Sequence, residues 1–94
     1  MSYKLEFNES ALKEWHKLDE GIKAQFKKRL AGRLLSPHVT SARLSGMPDC
    51  YKIKLRDAGY RLVYQVDDKR VIIVVIAVGR RDHDLVYKLA QSRV

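Results

Sequence analysis

Apolar positions along the chain change period several times, and each change marks an element. Tyr3, Leu5 and Phe7 alternate with Lys4 and Glu6, the period-two pattern of a strand with one buried face. Asn8 follows as a helix N-cap, with Ala11, Leu12, Trp15 and Leu18 at helical spacing behind it. Asp19 caps a second helix in which Ile22, Phe26, Leu30 and Leu34 fall four apart on one stripe. Ser36-Pro37 ends it, because proline disfavours helical geometry in the residue before it. Residues 38–50, containing Gly46-Met47-Pro48-Asp49, keep no period and read as a loop. Residues 51–56 and 60–66 alternate around a turn at Asp57-Ala58-Gly59. After a second turn at 67–70, residues 71–78 are apolar throughout, as in a central strand covered on both faces. Residues 79–83 form a polar loop, and Asp84 is placed to cap a short last helix packing through Leu85, Leu89 and Val86. The predicted order is β-α-α-β-β-β-α.

The strand pair has a definite parity. A slip of one residue would bury charges, so Tyr51, Ile53 and Leu55 must share a face with Tyr60, Leu62 and Tyr64. The other face then holds Lys52, Lys54 and Arg56 from one strand and Arg61, Val63 and Gln65 from the next; a two-residue turn at Asp57-Ala58 sets Lys54 opposite Arg61. Like charges paired across a ladder are destabilising by roughly a few tenths of a kcal/mol. Folding does not ask for this arrangement, whereas an anionic ligand would. Lysines also guard sheet edges against aggregation, but that purpose does not need a cluster on adjacent strands. Crowded cations disfavour the protonated form of a lysine, which moves an amine toward the range useful to a general base.

Composition sharpens this picture. Ninety-four residues make one domain, 1–94, around a single core, and an apolar fraction of 46% argues against disorder despite 32% charged residues. Lys and Arg number 19 against 11 Asp and Glu, a net charge of +8, and phosphates are the usual partners of such a surface. The polar face of the second helix carries Lys23, Lys27, Lys28, Arg29 and Arg33, a solvated face taken alone and a docking face in view of the net charge. Cys50, the single cysteine, has no internal disulfide partner and no evident base beside it, so it reads as a small packed residue. No signal-peptide pattern opens the chain, and the longest apolar run falls far short of the roughly 20 residues that span a bilayer. The expected location is the cytoplasm.

The remaining chemistry is narrow. His16, His38 and His83 share no metal-ligand spacing, and no cofactor motif is present, so neither a metal nor a cofactor is expected. Without a metal, phosphodiester cleavage is far easier for RNA than for DNA, because the 2'-hydroxyl can attack the adjacent phosphorus. Such a site needs a base for that hydroxyl, cations for the nonbridging oxygens and stabilisation of the leaving oxygen. Lysines, arginines and a tyrosine can supply these, and an aromatic such as Tyr87 could instead hold an unstacked base. His83 lies two residues from Arg81 and four before Tyr87, although a single loop histidine is more often incidental.

The segments ALKEWHKL, SGMPDCYKIKLRDAGYRLVYQV and VGRRDHDLVY, in this order and spacing, closely resemble the RelE toxins of bacterial type II toxin–antitoxin modules. The resemblance covers essentially the whole chain. It implies an α+β fold with an antiparallel sheet of about four strands, two N-terminal helices packed on one side and a short C-terminal helix over the active cleft. It also implies ribosome-dependent cleavage of mRNA in the ribosomal A site by 2'-hydroxyl attack, giving a 2',3'-cyclic phosphate. Carried over by position, the catalytic set is Lys52, Lys54, Arg61, Arg81 and Tyr87. Lys54 would be the general base, with Lys52 stabilising charge or sharing the task. Arg61 would hold the scissile phosphate, and Tyr87 would stack on and orient the substrate. Arg81 is better cast as an electrostatic stabiliser of the leaving oxygen than as an acid, since arginine is so hard to deprotonate. Hairpin parity groups Lys52, Lys54 and Arg61 independently; Arg81 and Tyr87 rest on the resemblance alone. Ser45 departs from the family at a position that is often basic, and His83 stands where the family varies.

The implied partners are mRNA, the 70S ribosome with its small-subunit rRNA, and a RelB-like antitoxin that neutralises the toxin and is its route to operator DNA. Lys23, Lys27, Lys28, Arg29, Arg33, Arg43 and Arg56 would dock on RNA or ribosome. A noncatalytic RNA- or ribosome-binding module is the alternative reading. Operator binding by the chain itself is weaker, because no helix-turn-helix or ribbon-helix signature is present.

Overall fold

The computed structural model describes residues 2–94, with His83 described by its backbone alone. The elements run β1 (Lys4–Phe7), α1 (Glu9–His16), α2 (Glu20–Leu35), β2 (Cys50–Leu55), β3 (Tyr60–Asp67), β4 (Ile72–Arg80) and α3 (Leu85–Arg93), the predicted order. A short 3-10 turn at Thr40–Ala42 lies inside the first segment read as a loop, and another at Asp82–Asp84 runs from the end of the second onto the expected cap. Two of the three predicted N-caps form, and the third, Asp84, makes no side-chain cap bond. The Asn8 side chain accepts from the Ser10 and Ala11 N–H groups, and Asp19 accepts from Ile22, satisfying donors that the first helical turn leaves unpaired.

The sheet order is β1-β4-β3-β2. The meander β2-β3-β4 is antiparallel as expected, whereas β1 joins β4 in parallel, so the sheet is mixed. The chain leaves β1 through two helices and returns at the far edge; three antiparallel passes then bring β4 alongside β1 running in the same direction. β4 is thereby central, which accounts for its unbroken apolar run.

Each face of the sheet has its own core. On one side Trp15, Leu18, Ile22, Phe26 and Leu30 of the N-terminal half pack on Tyr51, Ile53, Leu62 and Tyr64, the face that hairpin parity assigned to the interior. On the other side Val86 and Ala90 of α3 pack on Val63, Ile76, Ala77 and Cys50. The last helix therefore buries a stripe rotated from the predicted one: Val86 and Ala90 are buried and Leu89 packs partly, while Leu85 is 55% exposed. The reason is the entry. Asp84 sits in the left-handed region at φ 56° with no side-chain cap bond, after a tight 3-10 turn, and this resets the helical phase. Leu12, expected to face the core, is also exposed.

A bulge in β4 serves the second core. Val63 pairs with Ala77 and Tyr64 with Val75, so Ile76 is the extra residue, and both Ile76 and Ala77 turn toward α3. Beyond Val75 the outer edge of β4 has no strand neighbour, because β1 ends at Phe7. Two side chains take its place. Glu14 of α1 accepts from the Val78 N–H at 3.2 Å, and Arg93 of α3 donates to the Ile76 carbonyl at 2.9 Å. Arg93 and Glu14 also form a two-pronged ion pair at 2.9 and 3.0 Å, which ties the end of α3 to α1. No helix of the described residues is long and apolar enough to cross a membrane.

Candidate active site

β2 is an edge strand, and α3 covers β3 and β4 on its own side of the sheet. The α3-side face of β2, with Lys52 and Lys54, is therefore left partly open next to a helix that carries Tyr87. The ladder places Lys54 opposite Arg61, as expected, and Lys52 opposite Val63. The hairpin loop is longer than the predicted two residues: Leu55 pairs with Tyr60, so residues 56–59 make the connection, closed by the Gly59 N–H donating to the Leu55 carbonyl at 2.8 Å. Gly59 has φ 73°, a conformation that a side chain would strain. The register survives because the loop grows by one residue on each side.

The next strand brings the rest of the set. Arg61 pairs with Gly79 of β4, and a Cβ added at Gly79 would meet Val86 Cγ2 at 3.3 Å, so α3 rests directly on the backbone beside Arg61. Tyr87, one residue past Val86, consequently lies near the Arg61 guanidinium. Arg81 follows β4; its N–H donates to the Gly59 carbonyl at 3.0 Å, and its Nε lies 3.8 Å from where a Cβ on Gly59 would sit. That contact holds Arg81 over the hairpin loop. Strands β2 and β3, the end of β4 and α3 thus bring Lys52, Lys54, Arg61, Arg81 and Tyr87 around one end of the hairpin.

The electrostatics are those of crowded like charges. The Lys54 ammonium is held below the ordinary lysine range, first by the charge of Lys52, then by partial desolvation and by Arg61 and Arg56. Among the described residues no carboxylate pairs with any of these four cations or with Arg81; the ion pairs present are Lys23–Glu20, His38–Asp68, Arg70–Glu6 and Arg93–Glu14. Burial pushes the Tyr87 hydroxyl pKa up, against the opposing pull of Arg61, so the phenol stays protonated. Although Arg61 is near, the hydroxyl makes no hydrogen bond of proper geometry. It is the one buried side-chain polar atom without a partner among the described residues. The site therefore offers an amine biased toward neutrality and several cations unpaired with carboxylates, beside a buried phenol.

The second helix departs from expectation. Lys27 and Lys28 are exposed, but Lys23 is turned toward Glu20 at 3.5 Å. Arg29 and Arg33 reach across to β2, donating to the carbonyls of Lys54 at 3.3 Å and Lys52 at 3.2 Å. The predicted cationic face is thus divided, since long side chains at its margin can reach the neighbouring strand edge. Arg43 is exposed and its backbone bridges to Tyr51, while Arg56 is exposed at the start of the hairpin loop. A groove of about 580 Å³ runs between α2 and β2, lined by Arg29, Arg33, Lys52, Lys54 and Arg56. The auxiliary role considered for the His83 side chain lies outside the described residues. Sequence reasoning missed Glu14 and Arg93: a mid-helix glutamate and a terminal arginine carry no local signal that they will cap a strand edge.

Comparison with known proteins identifies the family. Residues 5–85 match the family of the ParE toxin of type II toxin–antitoxin systems, parDE. The chain is 53% identical over 94 residues to the mRNA interferase toxin RelE of Escherichia coli K12, covering all of this chain and 99% of the relative. Its fold superposes on a free E. coli RelE variant with a TM-score of 0.92 at 52% identity, covering 100% and 99% of the two chains. It also matches the toxin of the intact E. coli RelBE toxin–antitoxin complex, with a TM-score of 0.84 at 54% identity, over 87% of this chain and all of that one. The family match, the identity over the full length and the superposition agree, and the chain belongs to the RelE family of mRNA interferase toxins of type II toxin–antitoxin systems.

Proposed function

We propose that this chain cleaves mRNA in the A site of the translating ribosome, using Lys52, Lys54, Arg61, Arg81 and Tyr87 and no metal ion. Lys54, its amine destabilised as an ammonium by Lys52, Arg61 and Arg56, takes the proton of the ribose 2'-hydroxyl. The new alkoxide attacks the adjacent phosphorus, the bond to the 5'-oxygen breaks, that oxygen leaves as a 5'-hydroxyl after taking a proton from water, and a 2',3'-cyclic phosphate remains. Arg61 and Lys52 meet the charge that grows on the nonbridging oxygens, and Arg81, above the hairpin loop, stabilises the departing oxygen. Tyr87 stacks on and orients the nucleotide. The exposed cations Lys27, Lys28, Arg43 and Arg56 engage RNA of the ribosome or message. A RelB-like antitoxin neutralises the chain in the cytoplasm and links it to operator DNA, where the pair represses.

The observation that carries this reading is Lys54, paired with Arg61 across the ladder, crowded by cations and matched by no carboxylate among the described residues. The test is primer extension on a translated message. Cuts should map to A-site codons; Lys54→Ala or Arg61→Ala should abolish them while ribosome binding persists. A noncatalytic binding module would lose affinity in the same variants and never cut.

A further inference from the structure

β2 has one strand neighbour, β3, and its other edge is covered by side chains and a loop. The carbonyls of Cys50, Lys52 and Lys54, alternate residues along that outer edge, are each engaged. The Leu44 N–H donates to Cys50 at 2.9 Å, Arg33 Nη1 donates to Lys52 at 3.2 Å, and Arg29 Nη1 donates to Lys54 at 3.3 Å. Arg33 is further anchored. The same nitrogen donates to the Tyr64 hydroxyl at 2.7 Å, and the guanidinium carbon lies 5.6 Å from the centre of the Tyr64 ring. Tyr64 is fully buried, passes its own hydroxyl proton to the Pro37 carbonyl at 2.8 Å, and stacks on Tyr51 at 5.6 Å. One side chain of α2 thus grips the backbone of β2 and a core residue of β3 together.

From this geometry we infer that Arg33, seconded by Arg29, is a positioning residue that fixes the two peptides bearing Lys52 and Lys54. The inference rests on the cleavage reading above. Lys52, Lys54 and Arg61 repel one another across adjacent strands, and an edge strand is free to relax outward under that force. The two arginines oppose the relaxation at the very residues that feel it. A planar guanidinium with several donors can serve a carbonyl and a hydroxyl at once, which a single ammonium on a flexible stem does poorly. The rival role for these arginines is direct contact with RNA phosphates in the groove they share with Lys52 and Lys54.

Three variants, Arg33→Met, Arg33→Lys and Tyr64→Phe, separate the two roles when single-turnover cleavage, ribosome affinity and amide exchange at residues 52–54 are all measured. Arg33→Met should slow cleavage on saturated ribosomes by at least about tenfold, since a displacement of about 1 Å costs on the order of a hundredfold. Ribosome affinity should hold and exchange at 52–54 should quicken. Arg33→Lys keeps the charge but not the fork and should fail to rescue. Loss of affinity with an unchanged bound rate, restored by Arg33→Lys, would make Arg33 an RNA contact and overturn the inference. So would unchanged rate and exchange. If Arg33→Met does not fold, Tyr64→Phe removes one anchor and should shift rate and exchange the same way; wild-type behaviour overturns the idea. A wild-type chain that binds translating ribosomes and never cuts would instead sink the cleavage reading, while the exchange data would still report on the clamp.

Discussion

At the scale of single residues, like-charge crowding is the property most open to measurement. Lys54 has a folded pKa below its unfolded value, so in the window between them the unfolded chain binds more protons. Its contribution to stability is therefore unfavourable at low pH and improves as pH rises from the folded toward the unfolded pKa. Lys52 is the largest cause. Replacing it by Met should raise the titration midpoint of the Lys54 amine, followed by NMR of its Nζ, and should move the acid limb of any residual cleavage to higher pH. An unmoved midpoint would mean that the two ammonium groups do not interact. Cys50 shows the opposite environment: buried at 0% exposure, its thiol is pushed up to about 11, first by burial and then by Asp49. At neutral pH it should resist iodoacetamide in the native state and react only on opening, so its alkylation rate should track global unfolding as denaturant rises. Both microenvironments were legible in the sequence to different depths. Alternation alone put Lys52, Lys54 and Arg61 on one face, and the lack of a disulfide partner or an adjacent base marked Cys50 as packed. The partners of Arg33 were not legible, because a helix-face plot says nothing about how far a long side chain reaches.

Elements obey the sequence where the signal is local and depart from it where a neighbour decides. Asn8 and Asp19 cap as read because a cap needs only the next few residues. The register of β2 on β3 held although the loop length did not, since burial of Tyr51, Ile53 and Leu55 fixes parity whatever the turn. The phase of α3 and the bulge at Ile76 were invisible, as neither the left-handed entry at Asp84 nor the extra residue in β4 has a local signal, yet together they seat Val86 and Ala90 on Ile76 and Ala77. The Glu14–Arg93 pair secures that fit across the open edge of β4, at side-chain exposures of 23% and 17%. Arg93→Met would leave the Glu14 carboxylate and the Ile76 carbonyl without their shared partner, at a cost on the order of 1–3 kcal/mol. The expected result is a lower melting temperature with amide protection lost first in α3. Because α3 carries Tyr87, cleavage should fall more than stability alone explains at a temperature where the variant is still folded. Uniform loss of protection across α2 and α3 would argue that the pair only stabilises the whole.

Across the molecule the charges are sorted rather than spread. Lys52, Lys54, Arg56, Arg61 and Arg81 converge around one end of the hairpin, Arg29 and Arg33 back the edge strand, and Lys27 and Lys28 stand free on α2. A net charge of +8 points to phosphates as a class of partner but not to this sorting of the cations, which arises only once the sheet order sets β2 at the edge and α2 beside it. The division makes a quantitative claim about salt. Cations that neutralise phosphates release counterions, so the logarithm of affinity falls linearly with the logarithm of salt concentration, and each lost contact lowers that slope by about 1. Lys27→Gln and Lys28→Gln should each weaken ribosome binding alike for every codon and reduce the slope by about one, while the rate on saturated ribosomes stays put. Arg33→Met should leave the slope unchanged, because its guanidinium is spent on Lys52 and Tyr64. Titrating ribosome affinity between low and physiological salt for the three variants decides the matter. Equal slopes for Lys27→Gln and wild type would remove α2 from the docking surface, and a reduced slope for Arg33→Met would return that arginine to the RNA.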